Sequence, residues 1–308
     1  MNNNTNDTLA KPFLKWAGGK GQLISMFRDF YPVELKTGEI KNYYEPFIGG
    51  GAVFFDVVQQ YKVESAFLYD INPELILTYR VIQQDVFKLI EVLSSYRKWY
   101  EKSDEKAQNE LFYNIRDEFN KDLHQTNFSK YNESWFKRAA QIIFLNKTCF
   151  NGLFRFNQKG EFNVPAGRYK NPKILDEQNL LKVSKLLSVA EIRNAGFESV
   201  EQDISGNAFV YFDPPYRPIS KTSGFTSYSS FKFGDTEQLK LADLFNRLHE
   251  KGIKLMLSNS DPKNNDPEDH FFDEIYKDFK IARIPARRMI NSNPAKRDAI
   301  NEIVVTNY

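Results

Sequence analysis

Ala208-Phe209-Val210-Tyr211-Phe212-Asp213-Pro214-Pro215-Tyr216 is an apolar run closed by a carboxylate, two prolines and an aromatic ring. It reads as a strand ending in a rigid polar cup. Proline fixes φ and cannot donate to a ladder, so the chain must leave the sheet here in an extended loop, with Asp213 and Tyr216 at the strand's carboxyl edge. In open α/β sheets that edge is where ligands bind. The bland alternative is a strand that merely ends in a turn, and the surrounding sequence has to decide.

Upstream, Tyr43-Tyr44-Glu45-Pro46-Phe47-Ile48-Gly49-Gly50-Gly51 reads as a strand running into a glycine loop, with an apolar helix from Ala52. This is the opening of a nucleotide-binding fold, where glycines let the chain pass beneath a ligand, although the spacing is not the dinucleotide Gly-x-Gly-x-x-Gly. Ser65-Ala66-Phe67-Leu68-Tyr69-Asp70 then reads as a second strand ending in an acid. Such an acid can hold a ribose hydroxyl pair, or cap a helix ahead of Asn72-Pro73-Glu74. Earlier still, Phe13-Leu14-Lys15-Trp16-Ala17-Gly18-Gly19-Lys20 leads into an amphipathic helix from Gly21 to Phe30 that must stop near Pro32. Its paired glycines permit close backbone approach, and Lys20 can reach a carboxylate. A phosphate-binding P-loop is excluded, because Gly21 follows Lys20 where Ser or Thr is needed and the first required glycine is missing. A glycine-rich turn around a core Trp16 is the structural alternative.

From Asn72 to Phe150 the pattern changes to long helical periodicity, with helices expected over Pro73–Tyr100, Glu105–Asn120 and Glu133–Thr148. In the last, Trp135, Phe136, Ala139, Ala140, Ile142 and Ile143 form one apolar stripe, most simply a core face. A block of helices interrupting a strand-helix alternation reads as an inserted domain. It ends in Phe150–Pro165, two short β-like runs around a turn at Gln158-Lys159-Gly160, hence a hairpin. Between Lys137 and Lys173 stand eight basic residues (Lys137, Arg138, Lys147, Arg155, Lys159, Arg168, Lys170, Lys173) against one acid, Glu161. Basic residues interleaved with aromatics suit DNA, arginine reading guanine and lysines holding phosphates; a solvated charged face is the alternative. After Asn171-Pro172 the alternation resumes with a helix at Asp176–Leu187, a strand at Val189–Arg193, the strand ending at Asp213, a helix at Thr236–Glu250, a strand at Ile253–Ser258 and a terminal strand at Glu302–Thr306. The polar stretch Arg217–Gly234 fits a lid beside Tyr216, Asp261–His270 is a charged loop, and Arg287, Arg288, Lys296 and Arg297 form a second basic loop.

Composition bounds the class. The chain of 308 residues is 41% hydrophobic and 27% charged with a net charge of +2, so only the distribution of charge, not its total, can argue for a polyanionic partner. The single cysteine, Cys149, excludes an internal disulfide framework and a cysteine-rich zinc site, and points to a reduced cytoplasm. No apolar run approaches the ~20 residues of a membrane span, so no membrane association is expected. Residues 1–10 read as a disordered polar tail. His124, His249 and His270 are scattered, which argues against a metal site.

A carboxylate beside the carbonyls of two prolines suits methylation of an amino group conjugated to a ring. Accepting the two N–H bonds favours a pyramidal nitrogen whose lone pair can attack a sulfonium methyl, while Tyr216 stacks on the base. The motifs together resemble the Dam-type, alpha-class DNA adenine-N6 methyltransferases, especially those acting on GATC. The resemblance runs from Lys11 to the C-terminus and rests on residues 13–20, 45–51, Asp70 and 213–216, in that order. It implies a Rossmann-like α/β methyltransferase sheet (residues 11–72 and 174–308) with an inserted helical and β-hairpin DNA-recognition domain (73–173). It further implies S-adenosyl-L-methionine (AdoMet) as methyl donor, no metal, double-stranded DNA as partner, and a monomer that flips its target base. By motif position, Trp16, Lys20, Asp70 and Asp213 would contact AdoMet, with Glu45, Phe47 and Gly49 lining its pocket, and Asp213, Pro214, Pro215 and Tyr216 would form the catalytic cup. Phe150, Leu153, Arg155 and Pro165 would meet bases, Arg155 reading guanine, with Arg168 and Lys170 on DNA beside them. One departure is Phe150, where the family often has tyrosine. Partnership with a restriction endonuclease and solitary action are both compatible with these residues. Methylation of a protein glutamine would explain neither hairpin nor basic cluster, a DNA-binding protein without catalysis would not need Asp213, Tyr216, Lys20 and Asp70, and Cys149 lacks the setting of a cytosine-C5 nucleophile.

Overall fold

A computed structural model of the chain describes residues 9–157, 159–217, 233–286 and 300–308. In chain order the helices are α1 (Ile24–Phe30), α2 (Val33–Thr37), α3 (Ala52–Gln60), α4 (Pro73–Lys102), α5 (Glu105–Lys121), α6 (Ser134–Thr148), α7 (Glu177–Leu187), α8 (Val200–Asp203), α9 (Asp235–Glu250) and α10 (Phe271–Ile275). The strands are β1 (Asn42–Glu45), β2 (Ser65–Asp70), β3 (Ala190–Asn194), β4 (Ala208–Phe212), β5 (Lys254–Ser260), β6 (Lys280–Ala286) and β7 (Ile300–Thr306). They fall into two units. One holds the described residues up to Ala17 with Gly50–Gln60 and Pro73–Ser188; the other holds Gly18–Gly49, Tyr61–Asn72 and Val189–Tyr308. These limits cut the chain differently from a division at 72/73 and 173/174, because α3 and α7 group with the helices of 73–148.

The second unit is built on a seven-stranded sheet in the order β3-β2-β1-β4-β5-β7-β6. The first five are parallel, and β7 runs antiparallel between β5 and β6. Strand order reverses between β1 and β4, which places a topological switch point at their carboxyl ends. All five residues of β4 are buried, as a central parallel strand covered on both faces requires. Buried tyrosines on these strands keep their hydroxyls bonded. Tyr69 donates to Asp203 Oδ2 (2.8 Å), Tyr43 to Glu45 Oε2 (2.6 Å), and Tyr211 shares a bond with Ser258 (2.7 Å). A buried hydroxyl without a partner would cost about 1–3 kcal/mol. Strand β6 has no counterpart among the expected elements: it carries Pro285, and its outer alternation is polar. It is an edge strand, where the missing N–H is tolerated.

In the first unit, α4 and α6 carry Glu74 and Arg138, both almost fully buried and paired through Arg138 Nε to Glu74 Oε2 (2.7 Å). The long helix α4 breaks its dihedrals at Asp85, a residue whose side chain competes with helical backbone. The N-terminal segment is tied here too: the Ala10 N–H donates to Gln59 Oε1 (2.7 Å) and Ala10 is buried, so the expected tail does not extend to residue 10. The Phe150–Pro165 hairpin takes the form of isolated antiparallel bridges, Phe156 opposite Phe162 and Cys149 opposite Ala166, rather than a continuous ladder. At the tip, Asn157 closes the turn: its Oδ1 accepts from the N–H groups of Lys159 (2.9 Å) and Glu161 (3.0 Å). Gln158 lies outside the described residues.

Candidate functional site

The carboxyl edge of the sheet gathers acids from successive strands. Glu45 ends β1, Asp70 ends β2, Asp213 follows β4, and Glu302 sits near the start of β7. Glu302 arrives there because β7 is antiparallel, so its first residues lie beside the last residues of β5, with Glu302 opposite Ser260. Lys20, only 3% exposed, reaches into this group. Its Nζ lies 2.6 Å from Asp213 Oδ1 and donates to Gly18 O (3.0 Å) and Tyr216 Oη (3.2 Å). Tyr216 donates to Glu302 Oε1 (2.6 Å), and Ser258 to Asp213 Oδ1 (3.5 Å, a long contact). Pro215 is held from behind: buried Gln238 on α9 donates its Nε2 to the Pro215 carbonyl (3.2 Å). Next in the chain, Arg217 is clamped by Asp235 (2.6 Å) and Asp269 and lies over the Phe271 ring, which anchors the end of the cup.

Burial alone would lower the Lys20 ammonium, but the charges of Asp213, Tyr216 and Glu302 outweigh it and hold it well above its ordinary value. Burial pushes the Asp213 carboxyl up to about 6 against the opposing attraction of Lys20. At neutral pH the pair is therefore ammonium and carboxylate. Burial likewise raises the Tyr216 hydroxyl, with Lys20 opposing, so it stays protonated and able to donate.

Asp70 is pushed up to about 6 by burial, opposed by the N–H groups of Asn72 and Gly49. Its Oδ1 accepts from Asn72 (2.9 Å) and its Oδ2 from Gly49 (3.2 Å), and each oxygen keeps a lone pair for a hydroxyl. Gly49 holds φ of 46°, a left-handed conformation that glycine adopts without strain. Phe47 stacks on Phe197 (5.5 Å) and meets Phe233 edge-on (5.5 Å), forming an apolar wall. Glu45 is buried with its Oε2 committed to Tyr43. A ribose-bearing ligand fits these groups: an acid whose oxygens can accept from hydroxyls and an aromatic surface beside it.

In the helical unit, Trp16 packs its ring on Phe154 (5.6 Å) and fills the space a Cβ on Gly50 would enter. Phe150 is 53% exposed, and Asn151 and Gly152 take left-handed conformations that turn the chain behind it. Leu153 and Arg155 are half-buried, the latter donating from Nε to Asn163 Oδ1 (3.0 Å); Pro165, Arg168 and Lys170 are exposed. Four of the clustered basic residues are engaged or recessed, which corrects the count made from sequence. Arg138 is buried on Glu74, Lys137 pairs with Glu118, Lys173 with Asp176, and burial lowers the Lys147 ammonium to about 8. Glu302, Ser258 and Gln238 escaped the sequence reading; the one available signal was an acid set in the apolar run Ile300–Thr306. The expected lid falls mostly on 218–232 and the second basic loop on 287–299, both outside the described residues. Among the described residues no helix is long and apolar enough to cross a membrane.

Five parallel strands with an antiparallel seventh set between the fifth and sixth, a glycine loop after β1 and acids at the strand ends define a Rossmann-like methyltransferase fold. Residues 16–290 match the family described as D12 class N6 adenine-specific DNA methyltransferase, and the chain belongs to that family. It is 50% identical over 299 residues to the type II methyltransferase M.MjaIII of Methanocaldococcus jannaschii, covering 97% of this chain and 99% of that one. It is 38% identical over 300 residues to the type II methyltransferase M1.LlaDCHI of Lactococcus lactis subsp. cremoris (97% and 95% covered). It is 33% identical over 295 residues to a DNA adenine methylase of Haemophilus influenzae (96% and 92% covered). AdoMet as methyl donor is implied by the family.

Proposed function

We propose that the protein transfers a methyl group from AdoMet to N6 of adenine within GATC in double-stranded DNA, acting as a monomer on a base flipped out of the duplex. The observation that carries this reading is the Asp213 carboxylate, kept ionised by Lys20 and set on a two-proline loop whose carbonyl is braced by Gln238. The AdoMet sulfonium supplies an electrophilic methyl group. Asp213 and a proline carbonyl accept the two N6 hydrogens, the one-third-exposed Tyr216 ring stacks on the base, and Asp70 takes the ribose hydroxyls. Lys20, Glu45, Phe47 and Gly49 complete the donor site. Adenine's N6 is far too weak an acid to lose a proton before attack, so proton loss follows methyl transfer and Asp213 orients rather than deprotonates. Flipping costs a few kcal/mol, which contacts to the extruded base must offset.

Recognition falls to residues 73–173 in this reading. Phe150 fills the gap in the stack, Leu153, Arg155 and Pro165 meet base edges, and Arg168 and Lys170 meet phosphates. The exposure of Phe150, Pro165, Arg168 and Lys170 on one short stretch supports it. The GATC site rests on the resemblance of that stretch to GATC-modifying enzymes. Two relatives carry the name type II methyltransferase, which favours partnership with a restriction endonuclease over solitary action.

The test is methyl transfer from labelled AdoMet to two matched duplexes, one with GATC and one scrambled, followed by nucleoside analysis. N6-methyladenine in the GATC duplex alone, and its loss in Asp213→Ala, is the expected outcome. Label in both duplexes would discard the site, and label in neither, or full activity of Asp213→Ala, would discard the chemistry.

A further inference from the structure

Lys20 has three N–H groups and three acceptors within 3.2 Å: Asp213 Oδ1, the Gly18 carbonyl and Tyr216 Oη. A fourth acceptor, Glu302 Oε2, stands 3.8 Å away, and it is left without a hydrogen bond although the Glu302 residue is only 6% exposed. A buried carboxylate oxygen so placed is costly unless something in the working cycle satisfies it. Asp213 is in the opposite condition. Its Oδ1, one of the two oxygens that can accept from a substrate amine, is already held by Lys20 at 2.6 Å.

We propose that Glu302 is a positioning residue that receives the Lys20 ammonium when an exocyclic amine takes Asp213, while its other oxygen holds the Tyr216 hydroxyl throughout. The inference rests on the adenine-methylating reading of the site. A shift of about 1 Å at Nζ brings 3.8 Å to ordinary hydrogen-bond length, so a rotation of the lysine stem is enough. The exchange makes and breaks no covalent bond. Its electrostatic consequence is direct: one ammonium faces two carboxylates, so once Lys20 rests on Glu302, the full charge of Asp213 faces the nitrogen that becomes positive during transfer. With a neutral residue at 302, the lysine has no anionic alternative and continues to compete with the amine for Asp213.

The test compares wild type, Glu302→Asp, Glu302→Gln and Glu302→Ala by single-turnover methyl transfer at saturating duplex and AdoMet, with duplex affinity measured separately. Glutamine keeps an acceptor for Tyr216 and loses only the charge. Glu302→Gln is expected to transfer about tenfold more slowly or worse, as the loss of a charge-assisted bond implies, with duplex Kd changed by less than about threefold. Glu302→Asp is expected to recover part of the rate. A Glu302→Gln rate within about twofold of wild type would show that the carboxylate serves only as an acceptor for Tyr216 and would overturn the proposal. If the glutamine variant does not fold, Glu302→Asp transferring no faster than Glu302→Ala overturns it instead. Absence of N6-methyladenine from the wild type in the same assay would refute the functional reading, which keeps the two failures apart.

Discussion

Asp70 and Asp213 are both acids at the ends of parallel strands, and burial pushes both up to about 6, yet only Asp213 has a cationic partner. Asp70 relies on backbone N–H groups alone, so its charge is a standing cost to the folded state. The sign follows from proton binding. Unfolded, Asp70 ionises near its ordinary value of 3.8; folded, it holds its proton to about 6, so the folded state binds more protons in between and stability falls as pH rises through that window. Asp70→Asn removes the effect. Because Asp70 is only partly buried, water recovers some of the penalty, and we expect the asparagine variant to gain ~1–2 kcal/mol over wild type between pH 4 and pH 7, while binding AdoMet more weakly. Urea unfolding of both proteins at the two pH values checks this; a difference independent of pH would assign the Asp70 charge no cost. A residue that destabilises the fold where a ligand should sit is what a binding carboxylate looks like before its hydroxyl arrives.

At the scale of elements, the same arithmetic gives a different answer for Glu74 and Arg138, which join α4 to α6. Burial raises the Glu74 carboxyl and Arg138 opposes it through two hydrogen bonds to the carboxylate and its charge; Arg138 also donates to the Phe119 carbonyl (3.1 Å). Arg138→Met leaves a buried acid alone and should cost about 3–5 kcal/mol, whereas Glu74→Leu with Arg138→Met should recover most of it. Denaturant midpoints decide this; a single variant within about 1 kcal/mol of wild type would mean that water reaches Glu74. Arg138 also shows where sequence stops being sufficient. Its charge counted toward a DNA-binding cluster, because periodicity places it on a helix but does not say that the opposite helix supplies an acid 64 residues away. Strands that end in a carboxylate or a proline, and helices with an apolar stripe, were legible because their signals are local. Strand β6 was not, since Pro285 speaks against a strand until the edge position is known. Glu302 was not, since its place beside Lys20 depends on β7 running antiparallel between two strands, a pairing no local pattern carries.

At the scale of the whole molecule, the chain passes between the two units five times, after Ala17, Gly49, Gln60, Asn72 and Ser188, so neither unit is a continuous stretch. The helical unit needs its N-terminal strand of chain. Asn146, fully buried on α6, accepts from the Lys15 N–H (2.7 Å) and donates to the Lys15 carbonyl (2.8 Å). Phe13 packs edge-on against Tyr79 of α4 (4.8 Å), and Asn179 of α7 exchanges two bonds of 2.9 Å with the Lys11 backbone. An excised segment 73–188 keeps every helix from α4 to α7 but loses these partners. Removing Phe13 costs about 2 kcal/mol of burial, and leaving the Asn146 carbonyl unmet costs about 1–3 kcal/mol more. Loss of α3 adds to that, against a total stability of ~5–15 kcal/mol for a domain of this size. The excised segment should therefore show helical circular dichroism without a cooperative thermal transition, and should not bind duplex DNA, while the full chain unfolds cooperatively. A sharp transition in the segment would mean that its helices carry their own core and that the N-terminal contacts only decorate it. The absence of that transition would mean that 73–188 cannot be transplanted as a folded module, because the residues that brace it precede it in the chain by more than fifty positions.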